Sequence, residues 1–168
     1  MATECSPKNE KIDKAVGYFA GKMHCSQSVL AAFAKECGIS EEQAFRLGSC
    51  FGGGMRKGEV CGACIGALMV LGLLYGQTHM GSQEERAISD RINNRMMNRF
   101  REVNGSYRCN DLLGVDISTP EGAQKAREKG LFTDFCPRMV ASAVEILNEI
   151  IEEMENDGSF KRQSGSDK

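Results

Sequence analysis

Long apolar runs are scarce in this sequence. The only long stretch that is both uncharged and apolar, Val60 to Tyr75, is shorter than the ~20 residues a bilayer-spanning helix needs. It reads instead as a buried central helix. The N-terminal segment MATECSPKNEKIDK has no apolar core of the signal-peptide kind, so a soluble, cytoplasmic protein is expected. An excess of one charge is also missing: 21 basic against 23 acidic residues leave a net charge of −2. That balance argues against a broad nucleic-acid or anionic-membrane surface. No H-E-x-x-H and no Ser/His/Asp constellation supports hydrolase chemistry. The glycine-rich stretch Gly52-Gly53-Gly54 with Gly58 has no G-K-[ST] ending, so it is not a P-loop and no nucleotide is expected. Those glycines suit a turn, or a backbone that passes close to a site.

No period-2 strand pattern and no internal repeat occur, and an all-α fold is expected. Helix signals are frequent. The three prolines, at 7, 120 and 137, each follow a plausible cap, as at the first position of a helix. Ser6-Pro7 opens a segment with Ile12, Ala15, Val16 and Phe19 on one face. A second helix is expected from Cys25 to Cys37, with Val29, Leu30 and Phe33 inward and Gly38 as its stop. Ser40-Glu41-Glu42-Gln43 is a capping box, with Ile39 and Ala44 as its staple, and opens a third helix ending near Cys50. The central helix follows from Cys61 to Tyr75, its glycines 62, 66 and 72 tolerable where another group must approach closely. Ser82-Gln83-Glu84-Glu85 opens a long helix to Gly105, with Ile88, Ile92, Met96, Phe100 and Val103 as its stripe. Beside that stripe, Arg91, Arg95 and Arg99 could dock an acidic partner, but they read better as a flank whose stems cover the core. A turn at Cys109–Leu113, a polar helix from Pro120 to Lys129 and a last helix from Cys136 complete the chain. Val140, Val144, Leu147 and Ile151 face inward on that last helix. The expected architecture is a compact single-domain bundle of about six to seven helices over residues 1–154, with a polar tail at 155–168.

Eight cysteines in a chain expected in a reducing compartment point to chemistry or metal binding rather than a disulfide framework. Cys25, Cys61, Cys109 and Cys136 each fall at or just before a helix start. Unpaired N–H groups and the helix dipole favour a thiolate there, so lowered thiol pKa values are expected. Packing alone gives a cysteine no preference for helix starts. Cys61-Gly62-Ala63-Cys64 is also a C-x-x-C whose spacing puts both sulfurs on one helix face, for disulfide exchange or shared metal ligation. Cys5, in the N-terminal tail, and Cys37, at a helix C-terminus, read as incidental; Cys50 adjoins the glycine loop. His24, beside Cys25, is either polar surface or a partner of the thiol, and His79 is less informative.

With these residues assembled, the chain resembles the C_GCAxxG_C_C family of redox-active proteins, which is marked by four cysteines and a C-G-A-x-x-G motif. The motif reads Cys61-Gly62-Ala63-Cys64-Ile65-Gly66. The resemblance also takes in Cys25-Ser26-Gln27-Ser28, Phe51-Gly52-Gly53-Gly54-Met55, Gly58-Glu59-Val60, Cys109-Asn110-Asp111-Leu112-Leu113-Gly114 and Cys136-Pro137. It implies that the family's four cysteines are Cys25, Cys61, Cys109 and Cys136, with Cys64 in the variable part of the motif. The family is also similar to a domain of split-Soret cytochromes, but no C-x-x-C-H is present here, so no covalent haem is expected.

Three functions follow as expectations. In the first, Cys25, Cys61, Cys109 and Cys136 ligate an iron–sulfur cluster and the protein carries electrons to a redox partner protein. In the second, Cys61 and Cys64 are catalytic in metal-free thiol–disulfide exchange. In the third, the chain is a non-enzymatic helical module with a structural metal site. The first is preferred, and a homodimer is left open.

Overall fold

The computed structural model describes residues 7–158. The expected Ser6 cap and Cys5 lie outside the described residues, as does most of the expected tail. Eight α-helices form: α1 (Pro7–Ala20), α2 (Cys25–Ala32), α3 (Glu41–Gly48), α4 (Gly62–Tyr75), α5 (Gln83–Asn104), α6 (Cys109–Leu113), α7 (Pro120–Glu128) and α8 (Cys136–Asp157). The additional helix is α6, five residues long, where a turn was expected. No strand forms among the described residues; the nearest thing is one isolated antiparallel bridge, Val60 to Arg108. No helix among them is long and apolar enough to cross a membrane.

The expected capping residues do cap their helices. Ser40 Oγ accepts from the Gln43 N–H, and the Gln43 side chain returns the bond to the Ser40 N–H. Ser82 and Thr119 cap α5 and α7 through the Glu85 and Gly122 N–H groups. Each satisfies a donor that has no partner within its helix. The box expected at Ser82 is not completed, because the Glu85 carboxylate accepts from the Thr78 and His79 N–H groups instead.

The ends of α2 and α3 differ from expectation. α2 stops at Ala32, not Cys37, because the chain tightens into shorter turns, Phe33 N–H to Leu30 O and Ala34 N–H to Ala31 O. α3 stops at Gly48, not Cys50, because its last carbonyls are taken by side chains of α2. Ser26 Oγ donates to Gly48 O at 2.7 Å and Gln27 Nε2 to Phe45 O at 2.8 Å. Carbonyls at a helix end need such partners, and these two bonds fix the start of α2, where Cys25 sits.

Two apolar clusters result. The larger is built from α1, α2, α4, α5 and α8 around buried residues such as Phe33, Leu71, Phe100, Leu147 and Met154. The smaller gathers Cys109, Leu113, Ile117 and Ala126 with Leu131, Phe132 and Phe135. On α5 the stripe buries Ile92, Met96 and Phe100, but Val103 is exposed. Asn104 faces α8 instead, its side-chain N–H₂ donating to Phe100 O and to Ser142 Oγ. Arg95 and Arg99 reach Glu149 and Glu153 of α8, so this flank ties two helices together.

The glycines of α4 divide by what faces them. A Cβ on Gly66 would lie 2.7 Å from the Ser26 carbonyl oxygen and 3.0 Å from Val29 Cβ, whereas one on Gly72 would meet nothing within 4 Å. α2 therefore crosses α4 at Gly66, while Gly72 faces open space. Gly66→Ala is expected to destabilise by ~1–3 kcal/mol through overpacking. Gly72→Ala, gaining helix propensity without a clash, is expected to stabilise by up to ~1 kcal/mol. Urea unfolding midpoints of the two variants against wild type check both signs.

A candidate four-thiol site

The four helix-start cysteines come from distant parts of the chain. Cys25, Cys109 and Cys136 are the first residues of α2, α6 and α8, and Cys61 is the residue just before α4. The bridge at Val60 brings two of these segments side by side. The Cys61 N–H donates to Tyr107 O at 2.8 Å, and the Cys109 N–H donates to Glu59 O at 2.6 Å. Cys25 joins them because Gly62 has no side chain: a Cβ there would lie 2.5 Å from Cys25 Sγ. Cys136 and Cys25 line one cavity. Cys25 and Cys61 belong to the edge and body of the larger apolar cluster, Cys109 and Cys136 to the smaller. The four thiols occupy the seam between the two.

Their electrostatics differ from what helix starts alone suggest. Backbone N–H groups of Gly53, Ser26 and Ala63 do favour a thiolate at Cys25, yet burial outweighs them and its pKa is raised. Burial, then the neighbouring Cys25 and Cys109, push Cys61 well above the ordinary thiol range. Cys109 is pushed up to about 12 by burial and then by Cys25. Cys136 also rises to about 12, by burial and then by Cys25 and Cys109. The expected lowering is thus reversed, because desolvation and like-charge repulsion exceed a few N–H dipoles. Cys25 contributes to the rise at each of the other three, and Cys109 to those at Cys61 and Cys136.

The glycine-rich segment forms the floor beside Cys25. Gly53, Gly54, Met55 and Arg56 are consecutively left-handed, with φ of +61°, +58°, +55° and +58°. At Met55 and Arg56 that conformation costs roughly 1–2 kcal/mol per residue. Gly58 continues the turn at φ +69°, and Asn110 lies so close that any side chain there would collide with it. Asn110 in turn accepts from the Ile117 N–H and donates to Asp116, locking the loop after α6 onto the site. Asn110 is legible in the sequence only as part of the family motif after Cys109; its contact with Gly58 is not, because it depends on which backbone lies opposite.

The remaining candidates lie elsewhere. Cys64 is buried between α4 and α5, its thiol 3.6 Å from Met97 Sδ, and burial alone pushes it up to about 12. The one-face argument for Cys61 and Cys64 does not apply, since Cys61 has φ −53° and ψ 128° and stands outside the helix. Cys50 is exposed beside Ser49, and Cys37 packs half-buried against the larger cluster. His79 pairs with Glu85 at the start of α5. His24 lies against Gly52, and its Nε2 is 3.1 Å from an Arg56 guanidinium nitrogen. All seven described cysteines are free thiols. Among the described residues, no group of three or more His, Cys, Asp or Glu side chains is arranged to hold a metal ion.

Alkaline pH tests the burial of Cys64. The unfolded chain sheds this proton at an ordinary thiol pKa, while the folded chain holds it to about 12. Its contribution to stability is therefore complete at neutral pH. It falls by about 1.4 kcal/mol per pH unit between about pH 9 and the folded value. Urea midpoints across that range are expected to drop less steeply in Cys64→Ala. In native protein, iodoacetamide is expected to label Cys50 readily and Cys64 only on unfolding.

The comparisons agree with the cysteine pattern. The model of a family described as "Putative redox-active protein (C_GCAxxG_C_C)" matches residues 23–150, which contain Cys25, Cys61, Cys109 and Cys136. No curated protein and no solved structure matches the chain. With the match covering well over half of its length, this chain belongs to the C_GCAxxG_C_C family of redox-active proteins.

Proposed function

We propose that Cys25, Cys61, Cys109 and Cys136 hold an iron–sulfur cluster and that the protein carries electrons to a redox partner protein. The carrying observation is that separate segments bring these cysteines together: Gly62 leaves room for the Cys25 sulfur beside Cys61, backbone bonds to Tyr107 and Glu59 set Cys109 next to Cys61, and Cys136 lines one cavity with Cys25. Burial raises the pKa of each thiol. Four such groups can be ionised together only beside a compensating cation. An all-sulfur donor set is soft, and four cysteine thiolates suit iron–sulfur chemistry or zinc. The donor set therefore fits the group by its chemistry.

When bound, such a cluster takes up and returns single electrons. The chain would supply the rest. The N–H groups of Gly53, Ser26 and Ala63 toward Cys25, and of Ala63 and Cys64 toward Cys61, favour negative charge on the sulfurs. Hydrogen bonds of this kind are one means by which a protein sets a cluster's potential. Apolar side chains of both clusters surround Cys61 and Cys109, while Cys25 and Cys136 line the cavity. Exchange through Cys61 and Cys64 has less support, since Cys64 is turned toward Met97.

Protein purified without oxygen is expected to absorb broadly in the visible and to contain iron and acid-labile sulfide. Serine at Cys25, Cys61, Cys109 or Cys136 is expected to remove most of that iron, because a hydroxyl is a harder and far less acidic donor. Cys37→Ser, Cys50→Ser and Cys64→Ser are expected to retain it. Zinc without sulfide would select a structural metal site, and metal-free protein with a reversible disulfide would select thiol exchange.

A further inference from the structure

A cavity of about 680 Å³ opens beside the four thiols, with Cys25 and Cys136 in its lining. That volume lies in the range of small-molecule sites, roughly 300–1,000 Å³. Its walls are apolar, with Val16, Phe19, Met23, Ile117 and Phe132 among them. Among the described residues, the charged groups that line it are Lys22, Arg56 and Arg127, and no Asp or Glu does so.

Arg46, Arg95, Arg99 and Arg108 each meet a carboxylate. Arg56 meets only His24 Nε2 at 3.1 Å and the Ser49 carbonyl at 3.4 Å. Arg127 meets the Gln124 side-chain oxygen at 3.2 Å. Neither has a carboxylate partner among the described residues.

A guanidinium can only donate, so His24 Nε2 accepts and the ring is neutral. The imidazole thus steadies Arg56 without cancelling its charge. The backbone adds a second sign. Three described non-glycine residues have left-handed φ: Lys22, Met55 and Arg56. Two of these line the cavity, and both are cations. Strain of this kind persists where the surrounding structure holds it, often at ligand sites.

We propose that this cavity binds a small organic anion, with its apolar body against Phe19, Ile117 and Phe132 and its anionic group between Arg56 and Arg127. The bound molecule would lie against Cys25 and Cys136. The proposal concerns the cavity and does not depend on what the thiols hold.

Fluorescence titration with anilinonaphthalene sulfonate, and with the neutral phenylnaphthylamine as its uncharged counterpart, tests this on the full chain. The sulfonate is expected to bind one to one. Arg56→Gln and Arg127→Gln should each weaken it about tenfold, as loss of one charge-assisted hydrogen bond implies, and leave the neutral dye unchanged. Ala123→Phe, which fills the cavity, should weaken both dyes. Arg101→Gln, away from the cavity, should change neither.

No saturable sulfonate binding by the wild type would overturn the proposal. So would wild-type affinity in both arginine variants, or an equal loss in Arg101→Gln. Arg127 stands exposed on α7, so its variant gives the reading even if Arg56→Gln does not fold. Thermal melts of every variant separate lost binding from lost structure.

Discussion

Four thiols buried together are the constraint on which the rest of this structure depends. Each alone would be an ordinary small apolar residue. Side by side, out of water, they resist ionisation, and most resist it more because of their neighbours. A protein that needed only to fold would gain nothing from this arrangement over four alanines or valines. The fold instead devotes four helix starts, a β-bridge and a strained turn to holding them at one seam. The family's redox description gives that investment a chemical direction.

The thiols are brought together by main chain more than by side chains. Cys61 and Cys109 are paired through backbone hydrogen bonds to Tyr107 and Glu59. Cys25 enters because Gly62 leaves room for its sulfur. Its helix is held in place by bonds from Ser26 and Gln27 to the end of α3. Replacing a side chain at the periphery leaves such a frame intact, whereas adding one methyl group at Gly62 strikes sulfur.

Much of this was legible in the sequence, for identifiable reasons. Caps at Ser40 and Ser82 and Pro120 after Thr119 act over three or four residues, so the helix starts could be read locally. The four cysteines stand at other helix starts, those of α2, α4, α6 and α8, and were singled out by that position. The opposite ends of helices were less legible: α2 tightens into shorter turns after Ala32, and α3 stops where side chains of α2 take its last carbonyls, neither of which local sequence records. The sign of the thiol pKa shifts was misread because a helix start was weighed without burial, and burial is a property of the whole fold. Cys64 was paired with Cys61 by a helical spacing rule, but Cys61 is extended and the rule begins one residue later. The bridge at Val60 and Arg108 involves one residue pair, too short for any periodicity to announce it.

The order of the cysteines along the chain has a consequence for how the protein is made. Synthesis runs from the N-terminus, so Cys25, Cys61 and Cys109 leave the ribosome before Cys136 does. The helix that Cys136 begins, α8, also carries Val140, Val144, Leu147 and Ile150 into the larger cluster. A nascent chain ending before α8 therefore has three thiols and an open core, and it gains the fourth thiol together with the side chains that close that core. Completion of the site therefore waits on the same helix that completes the core.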